Sequence, residues 1–547
     1  MSYYIDGNII KTEDIEFDFT ELGGLGNIIF NSMKKYKHKV AQIDPETDIK
    51  DTYENMLQRS IRTAMVMKHK GVKQGDLVFG CTDNHLDACV PIVAAWFLGA
   101  VPCFADLNFT PLEMAYVLDQ VKPKMIFSIP SKAELINQLC VDAELVVFGN
   151  SNKNTEFQSF LERQIGEDEF EATISYNPKE TAMILFTSEA KACCLSHEHL
   201  IWQSNLVPTN TPVEHLDLDR RNFEWSKIKR GGAVLSYSPL LGVSEAKTFL
   251  ENAVVGTARV VCRSFDPKAF WYIVDKYRVL QALLTPFHLS ELAENPPPAK
   301  INTDTLLKIF TGGSHLQRKH WDRLRSILPD TDIIQSYGLT ETGLITTYET
   351  YNVVQREYYR THQESVGFPT RGVWYKVVDP VTEEPLGPNQ QGELRVKSKY
   401  FTNGYLNKSS NSLHDSEGWL KTGDVVYYTD NCALYIVDSL KDVIKYKQRV
   451  VYPSSIEKQL MLHPDVAHAV VLGKPDRENG EQPVALVVLN KNSESVTVEE
   501  IQKFLNGRLG DETKLRGGVR IVKSFPRTDT GKVKRRELRR MLVDERR

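Results

Sequence analysis

Short apolar runs separated by helix-like segments limit the fold of this chain more than any other feature. Residues 54–70 carry an apolar stripe at helical spacing, and a turn at 71–76 leads into the apolar run 77–79. Further runs with the length of buried strands lie at 101–104, 125–128, 144–148 and 182–186. Continuous apolar runs that alternate with helices are typical of parallel sheets covered by helices. The sequence therefore predicts an α/β fold.

The length of 547 residues exceeds what one hydrophobic core usually holds, so several domains are expected. From about residue 380 the pattern changes to short strands with Gly and Pro turns, which is typical of a β-rich region. After about residue 438 two strand patterns and one helix pattern follow, at 467–472, 484–489 and 498–508. We expect a large domain of α/β sheets over 1–437, a β-rich subdomain within it at about 345–437, and a small C-terminal α+β domain over 438–547.

Composition favours an intracellular globular protein and gives no sign of a nucleic-acid or membrane partner. Lys plus Arg is 67 and Asp plus Glu is 71, so no global basic field points to nucleic acid or to an anionic membrane. The eight cysteines form no C-x-x-C pair, which favours reduced, mostly buried thiols. The N-terminus has no signal-peptide pattern, and no apolar run approaches the ~18 residues of a membrane span. A cytoplasmic location is expected, with a peroxisomal one as the alternative, although the C-terminus lacks Ser-Lys-Leu.

Four separated motifs carry most of the functional information. They read Ile-Phe-Thr-Gly-Gly-Ser-His-Leu at 309–316, Gln-Ser-Tyr-Gly-Leu-Thr-Glu-Thr-Gly at 335–343, Gly-Trp-Leu-Lys-Thr-Gly-Asp at 418–424 and Pro-Arg-Thr-Asp-Thr-Gly-Lys-Val-Lys-Arg-Arg-Glu-Leu at 526–538. Their order and spacing resemble the adenylate-forming superfamily, which includes acyl-CoA synthetases, 4-coumarate–CoA ligases and firefly-type luciferases. The resemblance covers about residues 40–540.

The resemblance implies that a carboxylic acid attacks the α-phosphate of ATP and that CoA then takes the acyl group as a thioester. Mg²⁺ would accompany the phosphates, since a hard cation takes oxygen ligands and usually only one or two carboxylates. The implied partners are small molecules, and the motifs carry no signal for an oligomeric state. The basic residues after Gly531 could also simply form a solvent-exposed helix face without a binding role. A nucleic-acid-binding patch is disfavoured, because no aromatic residues are interleaved with these basic residues.

The resemblance assigns roles to individual residues. Residues that contact adenine or line the acyl pocket would be Gly312, Gly313, Ser314, Tyr337 and Gly338. Thr340 would meet the phosphates, and Glu341 would bind the metal. Taken alone, Tyr337 would be a core tyrosine and Glu341 a surface charge.

The C-terminal motifs supply the remaining roles. Asp424 would accept hydrogen bonds from the ribose hydroxyls, which suits a carboxylate beside two donors. Lys532 resembles the lysine that reaches the α-phosphate during adenylation, as a compact point charge. Lys441 occupies the hinge position about which the small domain rotates in relatives, and Lys445 lies on the face that serves the second half-reaction.

The phosphate loop departs from the family pattern T-S-G-T-T-G-x-P-K-G. Thr187 and Ser188 match its start and Ser196-His197 match the end of the region, but the segment between them is four residues short. Lys191 falls on the lysine of the pattern. No glycine remains between Phe186 and His197, although a cradle of converging N–H groups needs glycine conformations. Four residues span up to about 13–14 Å of extended chain. We expect a loop that cannot close over the β- and γ-phosphates.

Three further departures lie near the active-site motifs. Ser439 stands where relatives have the arginine of an Asp-Arg pair, and Gln448 replaces a glycine. The segment Pro239-Leu240-Leu241-Gly242-Val243-Ser244 stands where relatives show Pro-Phe-x-His-x-x-Gly, so the aromatic and the histidine are gone.

The sequence thus favours an ATP-dependent acid–thiol ligase of the acyl-CoA synthetase type, with a fatty acid or an aryl acid as substrate. A catalytically impaired relative that binds nucleotide or acyl ligand is the alternative favoured by the short loop. Loss of the four residues in an alternative transcript and a luciferase-like oxygenase activity are further alternatives.

Overall fold

The computed structural model describes residues 3–14, 19–140, 142–204, 231–238, 240, 242–314, 316, 318–407, 413–447, 449–476, 478–490, 493, 496–528 and 531–544. The chain divides into two compact units. The first unit comprises Met1–Tyr4, Lys11–Trp374 and Lys397–Trp419, and the second comprises Ile5–Ile10, Tyr375–Val396 and Leu420–Arg547. The predicted domain boundary at 437–438 stays a prediction.

Two seven-stranded, mostly parallel sheets form the framework of the first unit. One has the spatial order Ala192–Ser196, Thr181–Phe186, Val101–Phe104, Leu77–Cys81, Met125–Ser128, Glu144–Val147, Thr155–Glu156. The other has the order Asp332–Gln335, Lys308–Thr311, Val279–Leu283, Ala233–Ser236, Ala258–Val261, Val40–Ile43, Lys50–Thr52. Only the terminal strands Ala192–Ser196 and Lys50–Thr52 run antiparallel to their neighbours. The predicted α/β class is confirmed.

A third, smaller sheet of the first unit is antiparallel, and its strands are Tyr337–Leu339, Gly343–Thr347 and Phe368–Pro369. The helices of the unit are Phe19–Leu22, Gly24–Lys35, Tyr53–His69, Val90–Phe97, Pro111–Val121, Pro130–Leu139, His197–Gln203, Val243–Val255, Pro267–Tyr277, Pro286–Glu294, Arg318–Ile327 and Val353–Thr361, with 3₁₀ turns at Phe157–Leu161 and Glu167–Glu169.

Local sequence explains where these helices begin and end. Thr52 caps Tyr53–His69, since its hydroxyl accepts the N–H of Asn55. Val90–Phe97 is apolar all round and every one of its residues is buried, as expected for a helix inside a core. Gly99 follows it with φ of 67°, the left-handed conformation in which helices commonly end. The Trp96 indole N–H donates to the Ala182 carbonyl at 2.7 Å, which ties this helix to the first sheet.

The second unit contains two sheets that are mostly antiparallel, with one parallel pair between Gly480–Leu489 and Val519–Ile521. One has the order Tyr3–Asp6, Ile9–Thr12, Trp374–Val378, Gly392–Lys397, Leu420–Tyr428, Leu434–Ser439, and the ends of several of these strands belong to the first unit. The other has the order Arg449–Val451, Ile444–Tyr446, Gly480–Leu489, Val466–Asp476, with Val519–Ile521 beside Gly480–Leu489. The helices are Pro453–Leu460, Val498–Leu505 and Arg535–Asp544, and a 3₁₀ turn covers Asp511–Thr513.

Two hydrophobic clusters stabilise the C-terminal sheet on its own residues. One includes Ile444, Ile456 and Ile501, and the other joins Leu472 to Leu538 and Leu542 of the last helix. Both therefore consist of residues after Asp438.

All eight cysteines are free, and seven of them are buried, which confirms the expectation of reduced, mostly buried thiols. Within the described ranges, no helix combines the length and the apolar character needed to cross a bilayer.

Candidate nucleotide-binding site

The glycine motif lies where two neighbouring parallel strands end. Lys308–Thr311 pairs with Asp332–Gln335, and Thr311 lies opposite Gln335. The Ser336 N–H donates to the Thr311 carbonyl at 2.9 Å, so Gly312 follows directly beside Ser336. A Cβ on Gly312 would lie 2.8 Å from the Ser336 carbonyl oxygen. Ligands of open α/β sheets bind at such carboxyl ends, where glycine permits close approach to the backbone.

The next residues of this motif are open to solvent. Gly313 has φ of 80°, and nothing lies within 4 Å of the position of its missing Cβ. Ser314 is exposed. At the end of this strand the backbone of Gly313 is therefore accessible, with no side chain to block the approach of a planar group such as an adenine ring.

The tyrosine motif forms a tight hairpin. Tyr337–Leu339 pairs with Gly343–Thr347, and a Cβ on Gly338 would lie only 2.1 Å from the Gly343 carbonyl oxygen. Tyr337 is half-buried, which leaves part of its ring accessible. Thr340 and Glu341 occupy the hairpin turn, since the turn is closed where the Thr342 hydroxyl accepts the N–H of Leu339. The hairpin thus holds the predicted aromatic, phosphate and metal residues in one short segment.

Glu341 contacts a residue that sequence reasoning missed. The Tyr405 hydroxyl donates to the Glu341 carboxylate at 2.5 Å. Burial raises the pKa of Tyr405, and the hydrogen bond to Glu341 raises it further, so the phenol stays a donor. Tyr405 follows Gly404 in a stretch without a charge or periodic pattern, and its position opposite Cys193 becomes visible only in the structure.

Glu341 fits the single-carboxylate metal role. One accessible carboxylate suits Mg²⁺ that takes most of its ligands from phosphates and water. Among the residues that the structure describes, no group of three or more His, Cys, Asp or Glu side chains forms a cage for a metal ion. A magnesium ion would therefore have to be held largely by the nucleotide.

The shortened phosphate loop is a closed three-residue hairpin turn. The Thr187 N–H donates to the Lys191 carbonyl at 3.0 Å, and the Ala190 N–H donates to the Thr187 carbonyl at 2.8 Å. The Thr187 hydroxyl accepts the N–H groups of Glu189 and Lys191, both at 3.3 Å. Ala190 has φ of 58°, the left-handed position that such hairpins usually give to glycine. The N–H groups of residues 187, 189, 190 and 191 thus have partners inside the turn and do not converge on a common point.

Lys191 has an acidic partner in the same turn. Its Nζ lies 2.8 Å from the Glu189 carboxylate and 5.5 Å from the centre of the Tyr405 ring. Ser188 is exposed at the tip. The turn therefore carries a paired charge, whereas a phosphate cradle needs unpaired positive charge and free N–H groups.

The residues after the turn serve the fold. Ser196 caps the helix His197–Gln203 by accepting the N–H of His199 at 3.1 Å. His197 Nδ1 accepts the N–H of Leu25 at 3.2 Å. Burial lowers the pKa of His197 to about 4, so the ring is neutral. His197 therefore links the helix His197–Gln203 to the helix Gly24–Lys35, while Ser196 caps the first of these.

In the second unit, Asp424 lies on Leu420–Tyr428 directly opposite Ser439. The Thr422 hydroxyl accepts the Asp424 N–H at 3.2 Å, and the Ser439 hydroxyl donates to the Gly423 carbonyl at 3.4 Å. A serine at this position brings no cation to the Asp424 carboxylate. The neighbouring Asp438 accepts the N–H groups of Ser439 and Ser454, at 2.8 and 2.9 Å.

Lys532 lies opposite Thr528 where a second turn closes, and it shares a charge cluster with Asp424. Its N–H donates to the Thr528 hydroxyl at 3.1 Å, and its carbonyl accepts the Thr528 N–H at 2.9 Å. Desolvation and the positive charge of Lys441 lower the pKa of Lys532, while Asp424 and Asp442 act in the opposite direction. The structure thus places the predicted ribose carboxylate and the predicted α-phosphate lysine close enough to interact electrostatically.

Lys441 belongs to that cluster through its charge, whereas Lys445 does not act on Lys532. Lys445 is exposed on the strand Ile444–Tyr446, and its N–H donates to the Glu481 carboxylate at 3.0 Å. The Lys441 carbonyl accepts from Arg539 at 3.4 Å. The sequence departures at Pro239, Leu241 and Gln448 lie outside the described residues.

A parallel α/β framework with glycines at its strand ends, joined in sequence to a unit that carries Asp424 and Lys532, fits the class of nucleotide-binding enzymes. The chain belongs to the AMP-binding enzyme family, whose pattern matches residues 29–406. The pattern of the AMP-binding enzyme C-terminal domain matches residues 455–532. The predicted membership of the adenylate-forming superfamily is therefore confirmed.

Individual relatives cover nearly the whole chain. Luciferin 4-monooxygenase of Photinus pyralis is 27% identical, over 98% of this chain and 98% of its own. 4-Coumarate–CoA ligase 3 of Oryza sativa subsp. japonica is also 27% identical, over 97% and 94%. Among solved structures, the luciferase-like enzyme of the nonluminescent mealworm Zophobas morio is 26% identical with a TM-score of 0.70, over 79% of this chain and 99% of that one. ATP-bound MatB of Rhodopseudomonas palustris shares the fold, with 23% identity and a TM-score of 0.78 over 96% and 100%.

Proposed function

We propose that this protein activates a carboxylic acid with ATP to an acyl-adenylate and then transfers the acyl group to CoA. The observation that carries the proposal is the shared charge cluster of Lys532 and Asp424 in a chain of the AMP-binding enzyme family. Gly312, Tyr337 and Gly338 would bind the adenine, and Asp424 would bind the ribose. Lys532 would stabilise the negative charge that develops on the α-phosphate, which is the electrostatic kind of catalysis that a compact ammonium supplies.

The finer parts of this proposal concern the substrate and the second step. A fatty acid remains the proposed substrate, with an aryl acid as the other option. Glu341 would hold Mg²⁺ bound to the phosphates. Lys445 would serve thioester formation after a rotation of the small domain 438–547 about Lys441. A cytoplasmic location accompanies the proposal.

ATP–pyrophosphate exchange with a panel of carboxylic acids tests the proposal. Exchange that depends on one acid and falls at least about 100-fold in Lys532→Ala supports it, since one transition-state charge contact is worth roughly that factor. Lys534→Ala, two residues along the basic segment, is the matched control and should keep full exchange. Absence of exchange with every acid, or equal loss in both variants, contradicts the proposal.

The closed turn at 187–191 favours a second candidate function, which is binding of an adenylate without turnover of ATP. The N–H groups of residues 187, 189, 190 and 191 are bonded internally and Lys191 is paired with Glu189, so the turn is poorly arranged to hold a triphosphate. Insertion of Gly-Thr-Thr-Gly after Ser188 tests this candidate. Exchange that appears only in the repaired chain supports the second candidate, and comparable exchange in both chains excludes it.

A further inference from the structure

Glu341, the residue with the proposed metal role, is held by a segment that lies about 60 residues further along the chain. This segment, residues 402–406, runs beside Ala192–Ser196, the terminal strand of the first sheet. The Leu406 N–H donates to the Ala192 carbonyl at 2.8 Å, which fixes the segment to that strand. The segment therefore has a defined position relative to the sheet from which it can hold other groups.

Thr402 connects this segment to the backbone of the tyrosine motif. Its N–H donates to the Glu341 carbonyl at 3.0 Å, and its hydroxyl donates to the Cys194 carbonyl at 2.8 Å. The Sγ of Cys193 lies 3.2 Å from the Thr402 hydroxyl oxygen and 3.7 Å from the Thr340 carbonyl oxygen. The hairpin turn that carries Glu341 is therefore tied to the terminal strand of the first sheet.

Tyr405 holds the side chain of Glu341 in addition to this backbone link. Its hydroxyl donates to the Glu341 carboxylate at 2.5 Å, and hydrogen bonds to an ionised acceptor are among the strong ones in proteins. Both side chains are half-buried, so the carboxylate stays accessible while its rotation is restricted. A metal ion that binds a carboxylate fixed in this way has less side-chain entropy to remove.

The ring of Tyr405 is anchored independently of its hydroxyl. It packs against the hydrophobic core of the first unit, and the Lys191 Nζ lies 5.5 Å from its centre, within the range of a cation–π contact. The shortened turn and the Glu341 carboxylate therefore meet at one side chain. Because Tyr405→Phe keeps the ring and its packing, this substitution removes the hydrogen bond to Glu341 alone.

We propose that Tyr405 is a positioning residue, which orients the Glu341 carboxylate for a divalent cation that arrives bound to the phosphates of ATP. The inference rests on the proposed function, because it takes the metal role of Glu341 from there. It adds a residue that none of the four sequence motifs contains. Loss of a hydrogen bond to a metal-binding side chain lowers metal affinity by about 10- to 100-fold in well-studied sites.

The test is a binding measurement that does not require turnover. ATP is titrated calorimetrically into the full-length protein, once with saturating Mg²⁺ and once with EDTA, and the ratio of the two affinities is the readout. The unchanged protein should bind ATP more tightly with Mg²⁺, and Tyr405→Phe should lower the ratio by about 10-fold. The affinity for AMP, measured without a metal, should stay unchanged in Tyr405→Phe, because the glycine and tyrosine residues of the two nucleotide motifs are untouched.

Two further variants separate positioning from a general loss of stability. The Tyr277 hydroxyl donates to the Asp48 carboxylate at 2.9 Å, so Tyr277→Phe removes the same kind of hydrogen bond outside the nucleotide motifs and should leave the ratio unchanged. Glu341→Gln should lower the ratio by itself. Tyr405→Phe added to Glu341→Gln should lower the ratio no further, because the phenol acts through that carboxylate and the two effects are coupled.

Four results would overturn the inference: an unchanged ratio or weaker AMP binding in Tyr405→Phe, an equal loss in Tyr277→Phe, a further loss in the double variant, or ATP binding by the unchanged protein that is indifferent to Mg²⁺. A ratio that depends on Tyr405, without pyrophosphate exchange, would leave the inference standing and remove the proposed ligase. Exchange that depends on Lys532, with a ratio that Tyr405→Phe does not alter, would do the reverse.

Discussion

At the scale of single residues, the left-handed backbone of Ala190 and the buried imidazoles of His197 and His199 should have measurable effects on the free energy of unfolding. Ala190 holds the conformation that closes the turn at 187–191, and its methyl group is buried. His197 and His199 are neutral and buried in the first unit. Ala190 lies in the turn between the strands Thr181–Phe186 and Ala192–Ser196, and both histidines lie in the helix that follows. A change at any of the three should therefore alter the stability of this part of the sheet.

Substitution of Ala190 tests the turn. Ala190→Gly should change the unfolding free energy by less than about 1 kcal/mol, because relief of the left-handed strain, ~1–2 kcal/mol, is offset by loss of a buried methyl and by backbone entropy. Ala190→Val should destabilise by about 2 kcal/mol or more, since a β-branched residue tolerates this conformation poorly and overfills the site. Chemical denaturation measures both. A stable Val variant would show that the turn is not closed in this way.

Acid should weaken the first unit through two of its buried histidines, His197 and His199. Burial is the largest cause that lowers the pKa of each from 6.5 to about 4. Below 6.5 the unfolded histidines take up protons that the folded ones refuse, so stability is lost as pH falls from about 6.5 toward about 4. The loss between pH 7 and pH 5 should be about 2 kcal/mol for each histidine.

Urea unfolding at pH 7 and pH 5 measures this loss. His197→Asn keeps an acceptor for the Leu25 N–H and should reduce the pH dependence by about one histidine's share. An unchanged slope in that variant would place the acid sensitivity elsewhere.

At the scale of elements, the strand ends and hairpins decide what the motifs can do. The sequence predicts the strand before the phosphate loop well, at 182–186 against Thr181–Phe186 in the structure, because buried parallel strands are apolar runs whose length is nearly fixed. It predicts Tyr337 and Glu341 on one segment, since both lie in one motif. It does not reveal Tyr405, which pairs with Glu341 across 64 residues of chain, or the pairing of Lys191 with Glu189. Such contacts depend on how the loops close, which no local pattern encodes.

The hairpin of the tyrosine motif should be intolerant of any side chain at Gly338. Gly338→Ala places a methyl 2.1 Å from a backbone oxygen, so the strands must separate. We expect a loss of about 2 kcal/mol or more in stability and at least about 10-fold weaker AMP binding. Gly166→Ala, outside the nucleotide motifs, is the matched control, since its methyl meets nothing within 4 Å and only the left-handed strain of ~1–2 kcal/mol remains. Calorimetry with AMP separates them, and equal effects would contradict the close approach.

At the scale of the whole molecule, the segment after residue 437 has its own hydrophobic clusters, as an independently folding unit would. Its two hydrophobic clusters include only residues from Ile444 onward. Arg535 adds a polar link, with its guanidinium 2.6 Å from the Glu457 carboxylate and bonded to the Val471 carbonyl at 2.9 Å. The predicted small domain thus contains two hydrophobic clusters of its own and an internal ion pair, which together could stabilise it as a separate unit.

Expression of residues 438–547 alone tests that boundary. We expect a cooperative thermal transition followed by circular dichroism, because the clusters and the Arg535 link stay complete in the fragment. Arg535→Met in the fragment should lower its stability by about 1–2 kcal/mol, since the partly buried Glu457 loses its charge partner. A fragment without a cooperative transition would place the folding boundary before residue 438.

The path of the chain between the two units limits how this protein can be recombined. Ile5–Ile10 belongs to the second unit, and Ile9 and Ile10 pair with Lys376 and Tyr375 at its edge. The chain returns to the first unit at Lys397–Trp419 before it finally enters the second. A chimera that exchanges only the C-terminal portion of two relatives would therefore inherit mismatched strands from both parents. A chimera of two relatives should therefore take Ile5–Ile10 and the C-terminal portion from the same parent, so that the paired strands match. These two segments should be inherited together in recombinants that fold.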